Sequence, residues 1–278
     1  MELALGPHTY DVTYRALVMG ILNRTPDSFY DRGRFWDIEA FYRRADALVA
    51  EGADLLDVGG VKAGPGPEVS EAEELDRVVG VIEELHRRFD VPLSCDTWRA
   101  SVAKAAYAVG AVVGNDISGF ADPAYLEVAA SARATVVATH NRLGPRIPDP
   151  EPHDDDVVGE VNAFLLERAR RARAAGIPTE RIVLDAGLDL GKTWQQSVVL
   201  LRHSSSLAAL GFPVLLSASN KTFLGTMFDL AIDQRREISH AAHAMGIVGG
   251  CRILRAHDVR GACQVADVMA AMLEAAGA

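Results

Sequence analysis

The stretch ALVMGILNRTPDSF (residues 16–29) passes from an apolar run directly into small polar side chains at Asn23. The apolar part, residues 16–22, is too short for a helix of its own and is rich in Leu, Ile and Val, which predicts a strand buried on both faces. Similar runs follow along the chain: LLDVGG (55–60), PLSCD (92–96), AVVGND (111–116), ATVVAT (134–139), RIVLDAG (181–187), PVLLSAS (213–219) and RILRAHD (252–258). None alternates polar with apolar residues, so the pattern indicates parallel strands.

Amphipathic helical patterns separate these runs. They cover residues 38–53, 71–89, 98–111, 160–177 and 234–247. Alternation of strand and helix indicates a parallel sheet. Eight strand runs in this alternation predict an α/β fold of the (β/α)8 TIM-barrel class, in a single domain spanning residues 1–278; an open doubly wound sheet is the alternative. The Pro-rich, acidic segment 141–157 follows the fifth run, and we interpret it as a mobile loop rather than a linker.

The composition argues against several classes of protein. A net charge of −10 disfavours general nucleic-acid binding, because phosphates would be repelled, although a local basic pocket for an anion stays open. The three cysteines, Cys95, Cys251 and Cys263, form no CxxC pair, so we expect reduced thiols in a cytoplasmic protein. The N-terminal residues lack the pattern of a signal peptide, and no apolar run reaches the length of a membrane span.

Polar side chains stand at the end of every predicted strand. A TIM barrel has its active site at the carboxyl ends of its strands, so these groups are expected to surround one cavity. Asp96, Asn115, Asp185 and Lys221 would converge there on a planar ring rich in hydrogen-bonding groups, since carboxylates accept from ring N–H groups while Asn and Lys meet ring acceptors.

A second set of polar groups suits an anion. Arg255 and His257 lie two residues apart on the last strand and therefore share a face. With Asn23 they would hold a phosphate-like group, and the oxygen of Asn23 would also ligate Mg²⁺. Each residue has a simpler interpretation as well, because a lone histidine is often a core imidazole. In the same way Asp27, Asp116 and Ser118 suit helix caps, and the acidic run 153–160 suits a helix start.

The chain resembles the dihydropteroate synthases of folate biosynthesis over nearly its whole length. The motifs that carry the resemblance are MGILNRTPDSFYDRGRF (19–35), SCDT (94–97), GNDISG (114–119), DAGLDLGKT (185–193), SNKTFLG (219–225) and RAHDV (255–259), in the family's order. The first motif is long and specific.

The resemblance implies a TIM barrel that joins 6-hydroxymethyl-7,8-dihydropterin pyrophosphate to p-aminobenzoate and releases pyrophosphate. It implies that Asp96, Asn115, Asp185 and Lys221 bind the pterin, with Asp96 and Lys221 catalytic. It also implies that a second group of residues holds the pyrophosphate with Mg²⁺, and that Asn23 ligates the metal; the group is Asn23, Arg255 and His257. Members of the family are commonly homodimers.

The second loop departs from the family pattern. It reads GGVKAGPG (59–66) where the family has Gly-Gly-Glu-Ser-Thr-Arg-Pro-Gly, so Ala63 offers no hydroxyl and Gly64 no cation. Lys62 restores a charge only from a shifted position and without the bidentate geometry of Arg. Other departures are Arg24, Tyr30, Asp189, Leu190 and Asn220, the last standing where the family has Arg. The changes fall on the pyrophosphate and aminobenzoate side, while the pterin residues survive.

These departures leave three interpretations. The chain is a dihydropteroate synthase-type transferase whose activity is weak or lost, with p-aminobenzoate a doubtful substrate. Alternatively it is a catalytically inactive pterin-binding paralogue with a sensing or partner role. A third interpretation, a methyltransferase acting on a folate, is disfavoured by the motifs SNKTFLG and RAHDV.

Overall fold

A computed structural model describes residues 1–24, 38–64, 66–147, 149–152 and 155–277. An antiparallel hairpin, β1 (Glu2–Leu5) and β2 (His8–Asp11), precedes eight parallel strands that close into a barrel in the order β10-β3-β4-β5-β6-β7-β8-β9. The barrel strands are β3 (Leu17–Asn23), β4 (Leu55–Gly59), β5 (Leu93–Asp96), β6 (Ala111–Asp116), β7 (Thr135–Thr139), β8 (Ile182–Asp185), β9 (Val214–Leu216) and β10 (Cys251–Ala256). The predicted (β/α)8 barrel is confirmed, and the open sheet is excluded.

Helices pack around the outside of this barrel. In chain order they are α1 (Ile38–Ala50), α2 (Glu71–Arg88), α3 (Ala100–Ala108), α4 (Tyr125–Ser131), α5 (Val157–Ala174), α6 (Trp194–Arg202), α7 (Ser204–Ala208), α8 (Thr222–Phe228), α9 (Arg236–Val248) and α10 (Val259–Gly277). Asp156 caps α5 by accepting a hydrogen bond from the Gly159 amide. This residue of the acidic run therefore lies at the start of a helix, as predicted.

The barrel interior is filled by side chains from alternate strand positions. Its apolar cluster includes Leu55, Val113, Val137, Val183 and Ile253. The apolar residues adjacent to these along each strand, such as Leu56 and Val136, point outward and belong to the core under the helices. Leu3 and Leu5 of the hairpin join the same interior cluster. The hairpin therefore closes the amino-terminal end of the barrel and leaves the carboxyl ends of the strands as the end that can receive a ligand.

Strand alternation then determines which polar side chains point inward at that end. Residues two positions beyond an interior residue face the same way, since successive side chains alternate across a strand. This places Asp57, Asn115, Thr139, Asp185 and Arg255 above the apolar layer, each two positions after a residue of the interior cluster.

Two further observations concern the chain as a whole. All three cysteines are buried and free, which agrees with the absence of a disulfide framework. Across the described ranges, the structure holds no helix long and apolar enough to cross a membrane.

Candidate functional site

A buried carboxylate, Asp57 on β4, links side chains of three other strands at the polar end of the barrel. It is fully buried and accepts hydrogen bonds from Ser94 Oγ at 2.5 Å, from Asn115 Nδ2 at 3.1 Å and from Arg255 Nε at 2.7 Å. Three donors satisfy a carboxylate that would otherwise be costly to bury. Asp57 therefore fixes the orientation of both Asn115 and Arg255.

The same arginine binds a second carboxylate. Arg255 Nη2 donates to Asp96 Oδ2 at 2.9 Å, so its guanidinium lies between Asp57 and Asp96. Burial raises the pKa of Asp96 from 3.8 to about 7, against the opposing effect of Arg255 and with help from the charge of Asp57. Asp96 is thus a carboxyl group that can change protonation state near neutral pH.

Replacing Asp96 with asparagine is expected to stabilise the protein more at pH 8 than at pH 5. Because the folded pKa lies above the unfolded one, the folded state binds the Asp96 proton more tightly. The wild-type chain therefore loses stability as pH rises from about 4 to about 7. Asp96→Asn removes that loss, so its advantage in unfolding free energy should grow across this interval. Urea unfolding at both pH values measures it.

The exposed carboxylate of Asp90 provides the control for this experiment. Asp90→Asn makes the same chemical change on the surface, and its effect at each pH is subtracted from that of Asp96→Asn. A remaining Asp96→Asn difference that is independent of pH would contradict the assignment of a raised pKa to Asp96.

Asp185 at the end of β8 and Lys221 after β9 lie across the mouth of the barrel from Asp57 on β4. Asp185 Oδ1 accepts from the Gly187 amide at 2.8 Å, and Lys221 Nζ donates to the Leu188 carbonyl at 3.0 Å. Burial raises the pKa of Asp185 and lowers that of Lys221, while Asp189 and Asp185 oppose the fall at Lys221. Each group is thus held in a geometry that leaves further hydrogen-bonding capacity for a ligand.

Asn23 and His257 occupy neighbouring ends of β3 and β10. His257 Nδ1 lies 3.0 Å from Ser219 Oγ, which also accepts from the His257 amide at 3.1 Å. Desolvation, followed by the positive charge of Arg255, lowers the pKa of His257 to about 4, so its imidazole is neutral at pH 7. The side-chain oxygen of Asn23 lies 3.0 Å from the position that a Cβ on Gly59 would take. A Cβ at position 59 would therefore crowd that oxygen.

These donors suit a magnesium ion only in part. The amide oxygen of Asn23 is of the hard kind that Mg²⁺ prefers, and Asp96 Oδ2 lies near the same point beside Gly59. Within the described residues, no group of three or more His, Cys, Asp or Glu side chains is arranged to hold a metal. Mg²⁺ usually keeps several waters and binds phosphate oxygens as well. The residues therefore fit an ion that arrives with a diphosphate.

The second loop is held by arginines from two places, Arg77 on α2 and Arg99 at the start of α3. Arg77 Nη1 donates to the Gly60 carbonyl at 2.7 Å, and Arg99 Nη2 donates to the Val69 carbonyl at 2.8 Å. Arg24 Nη1 donates to the carbonyls of Asp76 and Arg77, so this substituted residue of the first loop contacts α2. Lys62 and Gly64 are exposed and Ala63 is half-buried.

The substituted residues in the loops after β8 and β9 make hydrogen bonds within and between these loops. Asp189 adopts the left-handed conformation (φ 66°), and both of its carboxylate oxygens lie 3.1 Å from the amide of Phe223 at the start of α8. Asn220 is also left-handed (φ 58°), and its carbonyl accepts from Arg235. Leu190 donates its amide to Gly187. Asp189 thus adds a carboxylate close to Lys221, whereas Asn220 itself is uncharged where the family pattern has Arg.

Some polar residues at the strand ends are structural. Asp116 accepts from the amides of Ser118 and Phe120, and Ser118 Oγ accepts from the Ala121 amide, so both stabilise the loop after β6. Lys192 Nζ donates to the carbonyls of His140, Gly187 and Leu190, and it thereby connects the loop after β7 to the loop after β8. Asp27 and Tyr30, which the sequence also singled out, lie outside the described residues.

Asp57, which links β4 to three other strands, was not predicted as a site residue. Its signal was present in LLDVGG, where one acidic residue interrupts a strand that is otherwise buried. Asp57 lies two positions after Leu55, and register pairs it with Ser94 on β5. An acid in that position of a parallel barrel must point inward and needs donors from neighbouring strands.

The fold and the site together define a class of protein. It is a TIM barrel that is closed at its amino-terminal end and carries carboxylates, an amide and two cations at the other end, a set of groups that suits a small polar heterocycle. A family model described as pterin binding enzyme matches residues 19–257. The chain belongs to this family of pterin-binding enzymes, which confirms the resemblance seen in the sequence.

Individual relatives agree with this assignment. The dihydropteroate synthase of Bacillus subtilis (strain 168) is 38% identical over 273 residues, which cover 98% of this chain and 93% of that protein. The Mycobacterium leprae protein called inactive dihydropteroate synthase 2 is 42% identical over 270 residues, covering 93% and 91%. The crystal structure of Yersinia pestis dihydropteroate synthase in a sulfonamide drug complex superposes with a TM-score of 0.92 at 37% identity, covering 99% and 100%.

Proposed function

We propose that this chain is a pterin-binding barrel of the dihydropteroate synthase type whose transferase activity is weak or lost. The observation that carries the proposal is the set of buried Asp96, Asn115 and Asp185 with half-buried Lys221, all at one end of the closed barrel. The alternative is an inactive pterin-binding paralogue with a sensing or partner role. The 42% identity to a protein named inactive supports keeping it.

The proposed pterin site uses groups that match the ring edge by edge. Asp185 would accept from the ring N–H and amino groups, because one of its oxygens is already oriented by the Gly187 amide. Asn115, oriented by Asp57, and Lys221, oriented by Leu188, would meet the remaining donors and acceptors. Asp96 would stabilise positive charge that develops on the pterin methylene group as pyrophosphate leaves.

The proposed anion site lies beside this ring. Asn23, Arg255 and His257 would face the pyrophosphate, with Asn23 also ligating Mg²⁺. When bound, Mg²⁺ supplies charge stabilisation for the departing diphosphate oxygens. Arg255 already binds Asp57 and Asp96, so its charge is shared between holding the carboxylates and attracting the anion. The amine of the second substrate would attack without a covalent enzyme intermediate.

Weak activity follows from what the second and seventh loops lack. Ala63, Gly64 and Asn220 supply neither the hydroxyl nor the two cations of the family pattern. Loss of transition-state hydrogen bonds of this kind costs about 10²-fold or more in rate. p-Aminobenzoate is therefore a doubtful second substrate.

Calorimetry and a turnover assay test this function. We expect the purified chain to bind 6-hydroxymethyl-7,8-dihydropterin, and its pyrophosphate with Mg²⁺ more tightly. Product formation with p-aminobenzoate should be at least about 10²-fold below that of the Bacillus subtilis relative assayed in parallel. Turnover at the rate of that relative would contradict the loss of activity, and absence of pterin binding would overturn the whole proposal.

We further propose a cytoplasmic homodimer built from a single domain over residues 1–278. Support comes from apolar side chains exposed on the neighbouring helices α9 and α10, namely Met245, Val248, Val268 and Met272. An exposed apolar patch of this kind suits association with a second copy of the chain. Neither nucleic acid nor membrane is expected as a partner.

A further inference from the structure

Thr139 ends strand β7 inside the candidate pterin site. Its side chain points into the barrel, because it follows Val137 of the interior cluster by two positions. Register places it directly beside Asp185 on β8. The residue is only 1% exposed, so its hydroxyl is removed from bulk water.

The hydroxyl of Thr139 lacks a hydrogen-bond partner among the described residues. Other hydroxyls near the barrel axis are paired: Ser94 donates to Asp57, Ser219 lies within hydrogen-bond distance of His257, and Thr135 donates to the Ala4 carbonyl. An unpaired buried hydroxyl is destabilising, and buried polar groups in native proteins are nearly always satisfied. The unpaired oxygen therefore indicates a partner that the protein itself does not supply.

We propose that Thr139 is a specificity-determining residue whose hydroxyl hydrogen-bonds the heterocycle held by Asp185. The inference rests on the proposed pterin-binding function and adds one contact to it. A hydroxyl both donates and accepts, so it favours a ring that carries a nitrogen, amino or oxo group at this edge. A ring with an alkyl group there would leave the hydroxyl unpaired and is disfavoured.

Two variants separate this contact from packing. Thr139→Val keeps the shape and removes the hydroxyl, whereas Thr139→Ser keeps the hydroxyl. We expect Thr139→Val to bind 6-hydroxymethyl-7,8-dihydropterin roughly 5–20-fold more weakly in calorimetry, and Thr139→Ser to stay within about threefold of wild type. Without ligand, Thr139→Val should unfold at a urea concentration no lower than the wild-type chain, since it loses an unsatisfied group.

Each outcome bears on the proposal. Equal pterin affinity of Thr139→Val and the wild-type chain overturns it while leaving the proposed function intact. Loss of affinity together with loss of stability in Thr139→Val, or equal loss of affinity in Thr139→Ser, assigns the residue a structural role and also overturns it. A wild-type chain that binds no pterin overturns both proposals, and this result is seen before any variant is made.

Discussion

Replacing Arg255 with methionine is expected to lower the free energy of unfolding by about 3–5 kcal/mol at pH 8, because it leaves two buried carboxylates without their cation. Arg255 is 15% exposed at its side chain and binds Asp57 and Asp96, which are 0% and 10% exposed. Methionine fills much of the space but carries no charge. The two carboxylates would then repel each other in a region with little water to screen them.

The loss should depend on pH and on Asp57. At pH 5 the raised pKa of Asp96 allows that residue to take up a proton, so the cost of Arg255→Met should be smaller than at pH 8. The double variant Arg255→Met, Asp57→Asn should recover part of the stability, because it removes the other buried charge. Urea unfolding of both variants at both pH values measures these differences. A single variant as stable as the double variant at pH 8 would show that the charges are not coupled.

The sequence predicted the barrel because its strands are buried on both faces. Runs such as ATVVAT and PVLLSAS contain no polar alternation, and this pattern depends on local composition alone. The terminal hairpin was missed, since its strands are only four residues long and flank the turn at Gly6. The five helical patterns correspond to α1, α2, α3, α5 and α9, so the sequence pattern did not assign the other five helices, α4, α6, α7, α8 and α10. All of these except α10 have five to nine residues, which are too few to show a clear amphipathic period.

The position of the candidate site residues at one end of the barrel was predictable, whereas the pairing among them was not. Strand ends bring Asp96, Asn115, Asp185 and Lys221 to one end of any parallel barrel. The sequence alone does not predict which carboxylates an inward-facing arginine will bind, because that depends on strand register and on distances across the barrel. Register sets Asp57 beside Ser94 and Asp96 beside Asn115, and Arg255 then reaches both acids. Its ion pairs were therefore found only in the structure.

Replacing Asp185 with asparagine is expected to weaken binding of 6-hydroxymethyl-7,8-dihydropterin by about 10²-fold or more. Under the proposed function this carboxylate accepts from two ring donors, and hydrogen bonds to a charged group contribute about 1.5–3 kcal/mol each. Asparagine offers one acceptor and places its N–H₂ group against a donor of the ring. The bond from the Gly187 amide needs only an oxygen, so the loop after β8 should keep its position.

Asp116→Asn is the matched control for Asp185→Asn. Asp116 is another fully buried acid at the same end of the barrel, but it binds the loop amides of Ser118 and Phe120. Its neighbour Asn115 takes the inward position, so Asp116 faces away from the ring. Calorimetry on both variants should therefore show pterin affinity lost only in Asp185→Asn. If Asp185→Asn keeps its affinity within tenfold of wild type, the heterocycle does not bind this carboxylate, because the loss of two charged hydrogen bonds would weaken binding by more than that.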